Sequence, residues 1–105
     1  MKKKVIRIID THTILLYYDC TYKEFAVKYD LWEEDEGTEW RTYLPQWLTP
    51  IIWMKDIKDT ANLAHEFLHA IFHISRTTWI EYNEWSEEWF TYSLSHALRE
   101  IQKLK

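Results

Sequence analysis

The chain holds a single glycine, Gly37, in 105 residues. Phosphate-cradling loops need several glycines, because the backbone must come close to the anion. P-loop and Rossmann dinucleotide sites in their usual form are therefore excluded. Cysteine is equally scarce. Cys20 stands alone, so no intrachain disulfide can form and all-cysteine zinc sites are ruled out. That usage fits a reducing compartment. Long apolar runs are missing too. The longest uncharged stretch, residues 42–54, is too short to span a bilayer and carries Pro45 and Pro50, so no membrane association is expected. The basic start runs into VIRIID, where Arg7 and Asp10 break the apolar stretch, so no targeting leader is expected. Positive charge is in deficit: 13 Lys and Arg against 17 Asp and Glu, for a net charge of −4. Such a chain is not built to hold nucleic-acid phosphates, and no direct nucleic-acid binding is expected. Local basic clusters remain at Lys2, Lys3 and Lys4 and around Arg99, Lys103 and Lys105.

What is present is a globular balance, 47% hydrophobic and 29% charged. The length suits one domain, residues 1–105. Seven tryptophans and seven tyrosines are more than a core of this size can hide. A surface aromatic patch, and with it a partner surface, is expected.

Residues 5–9 and 13–18 are rich in β-branched and aromatic side chains and read as strands. Thr21 with Glu24 has the form of a capping box, and Tyr22, Phe25, Ala26 and Tyr29 follow at helical spacing. A helix is preferred there over a strand through FAVKY. EEDEGTE, residues 33–39, reads as a solvated acidic loop. Residues 40–44 and IIWMK (51–55) read as strands. Asp59 or Thr60 can cap a helix to about Ser75, striped by Leu63, Phe67, Ile71 and Ile74. Ser86 is placed to cap a last helix whose buried stripe is Phe90, Leu94, Ala97, Leu98 and Ile101. The expectation is an α+β domain: a small N-terminal sheet (1–58, with one helix), then two packed helices (59–105).

The chemistry concentrates at His65-Glu66-Phe67-Leu68-His69, an HExxH inside the best helical pattern. Histidines at i and i+4 share one helix face, so both imidazoles can reach one tetrahedral zinc. Glu66 is placed to act on a water rather than on the metal. In random order this composition produces the motif roughly 0.02 times per chain, so chance is a poor explanation. The alternative is two helix histidines with no metal. Zinc needs a further protein ligand. Glu88 follows His69 after 18 intervening residues, with Glu87 and Glu84 as rivals. Glu87 lies nearer the apolar stripe of its helix than Glu88 does. Glu87 and Glu88 also suit the first turn of a helix with no metal involved. His73 lies one turn beyond His69, about 12 Å along the axis from His65, too far to share one ion with it. Tyr92, one turn after Glu88, could donate to an oxyanion or pack between helices. His96 lies farther along that helix, and His12 and Cys20 flank the second strand with no ligand-like spacing.

HExxH-x18-E resembles the gluzincin metallopeptidases. The resemblance implies His65, His69 and Glu88 as zinc ligands and Glu66 as catalytic base. It also implies an edge strand beside the motif helix, for which IIWMK is the candidate, with a core strand as the other reading. Residues 62–98, through AHEFLHAIF and SEEWFTYSL, resemble small phage and prophage HExxH proteins. The size and acidic character also resemble anti-CRISPR proteins that bind the effector nuclease of type II CRISPR systems. That resemblance implies a zinc-binding inhibitor of a host protein, in the cytoplasm of an infected or lysogenic bacterium. The other class is a minimal zinc metallopeptidase using Glu66 and Tyr92.

Overall fold

The structure, a computed structural model, describes residues 1–9, 12–31, 39–44, 49–81 and 83–104. Gly37, Pro45 and residues 33–38 of the expected acidic loop lie outside the described residues. In chain order the elements are β1 (Lys2–Ile9), β2 (His12–Tyr18), α1 (Tyr22–Tyr29), β3 (Trp40–Tyr43), β4 (Ile51–Met54), α2 (Thr60–Thr77) and α3 (Glu87–Gln102). This is the expected α+β arrangement, a small sheet followed by two helices.

The strands form one sheet in the order β1-β2-β4-β3. β1 and β2 pair antiparallel, β2 and β4 pair parallel with Leu16 opposite Ile52, and β3 runs antiparallel to β4 with Thr42 opposite Ile52. β1 starts at Lys2, earlier than the apolar pattern predicts, because the ladder to β2 continues to Lys2 opposite Tyr18. Pairing, rather than apolarity, sets that end.

Alternation along the strands feeds two cores, as successive side chains point to opposite faces. Ile14, Leu16, Ile52 and Met54 face α2 and α3. Tyr17, Ile51 and Trp53 face the other way, against Phe25 and Ala26 of α1. β4 is thus buried on both faces, as its uninterrupted IIWM implies. It is a central strand, and the edge beside it is β3. Of the two readings of IIWMK, edge or core strand, the core one holds, and the edge falls to residues 40–43.

α1 is held by the predicted capping box. The Thr21 side chain accepts from the Glu24 N–H at 3.1 Å, and the Glu24 carboxylate accepts from the Thr21 N–H at 3.2 Å. α2 is capped by Asp59, which accepts from the Asn62 N–H at 3.3 Å. It runs to Thr77, past the expected end, and closes on the Thr78 N–H to Ile74 carbonyl bond and the Ile80 N–H to Ser75 carbonyl bond. The second bond requires the left-handed region at Trp79, which has φ 63°. Ser86 stands at the N-cap of α3 but makes no capping bond through its side chain. Its hydroxyl instead donates to the Glu81 carbonyl, while Asn83 Oδ1 accepts from the N–H groups of Trp85 and Ser86. The turn before α3 has taken the hydroxyl that the helix would have used.

α3 packs on α2 through Phe90 against Phe72, ring centroids 5.1 Å apart. Phe90, Ser93, Ala97 and Ile101 are its buried residues, whereas Leu94 and Leu98 are only partly buried at the flank. Glu100 ties α3 to β1, 2.5 Å from Lys103 and 3.9 Å from Lys4. No helix among the described residues is long and apolar enough to cross a membrane.

Two outcomes follow. Phe67 is fully buried at the centre of the larger core. Phe67→Ala should cost about 3–5 kcal/mol in urea unfolding, since a cavity is left behind. The Lys103 ammonium beside Glu100 holds its carboxyl below the usual glutamate range. A depressed folded value means the contribution is present above the unfolded value and fades as pH falls through the folded one. Lys103→Met should return the Glu100 titration, followed by NMR, toward ordinary glutamate.

Candidate metal centre

The apolar stripe of α2 decides where the motif points. Leu63, Phe67, Ala70, Ile71 and Ile74 are turned into the sheet and α3. At about 100° per residue, His65 and His69 are then carried to the far side of the helix. Both are exposed. Their Nε2 atoms converge to 3.0 Å, with the rings edge-to-face and centroids 4.7 Å apart.

This convergence is the test of fit for a metal. Two nitrogens bound to one tetrahedral zinc at roughly 2.0–2.1 Å stand about 3.3 Å apart. The pair presents the same nitrogen of each ring to one point at nearly that separation. Without an ion, the same spacing serves an N–H···N bond between neutral rings. Two protonated rings would repel at this distance. The donor set suits zinc, for which imidazole nitrogen is a preferred ligand.

Glu66 lies between the buried stripe and the exposed pair, and is 6% exposed. A buried carboxylate needs a partner. Thr42 supplies it: its hydroxyl donates to Glu66 Oε2. Thr42 sits on β3, so the motif glutamate is tied to the edge strand of the sheet. Sequence reasoning named Glu66 but missed Thr42. The signal was present in WRTY, where Trp40 and Thr42 alternate with exposed Arg41 and Tyr43.

The other candidates are spread out. Glu84 is exposed in the turn before α3, and Glu87 and Glu88 are exposed on its first turn. No group of three His, Cys, Asp or Glu side chains able to hold an ion forms among the described residues. Tyr92 is 63% exposed, and its ring stacks on His96 of its own helix at 6.2 Å. His73 is buried on α2. His12 begins β2. Cys20 packs with the α1 core on the other face of the sheet, where burial pushes its thiol above the ordinary value.

Comparison of the chain with protein-family models, curated proteins and solved structures finds no match in any of the three.

Thr42→Val keeps the side-chain shape and removes the donor. The buried Glu66 carboxylate would then lose its partner, and urea unfolding should show a loss of about 1–3 kcal/mol. In the background Glu66→Leu, the same substitution should cost much less.

Proposed function

We propose that the chain is a zinc-binding protein that works by binding a host protein. The observation that supports zinc is the convergence of His65 Nε2 and His69 Nε2 at 3.0 Å on an exposed helix face. His65 and His69 would hold the ion, with Glu88, Glu87 and Glu84 as the carboxylates to test for a third position. The binding half is supported by exposed aromatic side chains that a monomer has no use for, and by the net charge of −4. An acidic surface of this kind suits a basic nucleic-acid channel. The partner class is the effector nuclease of a type II CRISPR system, which the chain would block.

A second reading is a minimal zinc metallopeptidase, favoured by the Thr42–Glu66 bond. When bound, zinc supplies Lewis acidity toward a carbonyl or a water. Glu66, tied to β3 by Thr42, would accept a proton from the attacking water and pass it to the leaving amine. β3, the edge strand among the described residues, would pair with an extended peptide.

Elemental analysis of untagged protein should find one zinc per chain, lost in His65→Ala and retained in Glu66→Gln. Folded protein without metal would refute the zinc site. Glu66→Gln then separates the two readings: nuclease capture and inhibition of DNA cleavage should survive it, whereas peptidase activity should fall by several orders of magnitude. Absence of both capture and inhibition with wild-type protein would refute the inhibitor reading.

A further inference from the structure

The corner between α2 and α3 carries two tryptophans that the fold does not use. Trp79 is 84% exposed and Trp85 is 90% exposed. The position of Trp79 is one where glycine is the usual residue, because φ is positive and a side chain is disfavoured there. Neither backbone preference nor burial explains an indole at that place.

The corner is also held in shape. The Ile80 N–H to Ser75 carbonyl bond (2.9 Å) fixes the backbone around Trp79. The Trp85 N–H donates to Asn83 Oδ1 at 2.8 Å, and Ser86 Oγ accepts from the Asn83 N–H at 3.0 Å. Each indole therefore projects from hydrogen-bonded backbone, which lowers the ordering cost of binding.

Beside Trp79 runs a groove of about 410 Å³, lined by Phe72, Ser75, Arg76, Trp79, Ile80 and Glu81. Phe90 of α3 seats on Phe72, so the first turn of α3 adjoins this groove. Glu81 lines it, and Glu84, Glu87 and Glu88 follow, exposed, up to and within the first turn of α3, whereas Arg76 is the one cation in residues 76–88. Apolar floor, projecting indoles and surrounding carboxylates are complementary to one chemistry. Indole faces attract guanidinium and ammonium groups, and the glutamates pair with them.

We propose that this corner docks a basic, amphipathic protein segment, with an apolar side chain in the groove and arginine or lysine over Trp79 and Trp85. The inference rests on the partner-binding half of the function proposed above and names its surface. It does not involve the histidine pair.

The test uses the full-length protein and a fluorescein-labelled dodecapeptide of alternating arginine and leucine, read by fluorescence anisotropy. A glutamate–leucine dodecapeptide is the control. The basic peptide should bind, weaken with added salt, and outcompete the acidic one at least tenfold. Trp79→Gly and Trp85→Ala should each weaken binding tenfold or more with no fall in Tm, because neither indole is buried. Glu81→Gln should weaken binding several-fold and flatten the salt dependence. Equal binding of the two peptides, or tryptophan variants that bind like wild type, would overturn the proposal. So would sedimentation showing a wild-type dimer that Trp79→Gly makes monomeric, since the occupant would then be a second copy. Nuclease capture that persists in Trp79→Gly and Trp85→Ala would refute this surface alone, whereas no capture by wild type would refute the partner reading itself.

Discussion

The amphipathic register of α2 is the constraint on which the rest depends. Leu63, Phe67, Ala70, Ile71 and Ile74 must face the sheet and α3, since together they form the middle of the larger core. Once that stripe is buried, every other α2 side chain has its direction assigned. His65 and His69 go to solvent with their Nε2 atoms together. Glu66 falls on the flank, where it is buried and needs a donor, and the edge strand provides Thr42. The groove at the end of α2 is set by the same rotation, because Phe72, Ser75 and Arg76 follow in the next turns. Two separate surfaces, an ion-sized point and an apolar groove, are consequences of one packing stripe.

The arrangement also bears on the choice between structural and open metal sites. A structural zinc is enclosed by four protein ligands, whereas a reactive or shared one keeps positions open. Here the two histidines come from one helix and face outward. A cross-link from α2 to α3 through a glutamate would add folding free energy. The observed joint between the helices is apolar, Phe72 on Phe90. The pair lies on the exposed face of α2, outside that core.

Much of this was legible in the sequence. The α1 capping box, the Asp59 cap, the α2 stripe and the strand pattern all follow from local rules that the tertiary structure respects. The placement of the histidines on one face followed from spacing alone. What was not legible depended partly on neighbours distant in the chain and partly on competition within turns. IIWMK by itself allows an edge or a core strand; β3 takes the end of the sheet and leaves β4 between two strands, so the core reading holds. The all-apolar IIWM was the signal for a doubly covered strand. Ser86 could not be read because Glu81 and Asn83 compete for it within the turn. The end of α2 was placed too early because Trp79 occupies a position that usually announces itself as glycine.

The central claim is that His65 Nε2 and His69 Nε2 are ligands to a single zinc ion. The most direct measurement is zinc K-edge X-ray absorption on protein loaded with one equivalent of zinc. Two imidazole shells at about 2.0–2.1 Å, reduced in parallel by His65→Ala and His69→Ala, are the predicted result. A purely oxygen shell, or a spectrum that neither substitution alters, would contradict the account.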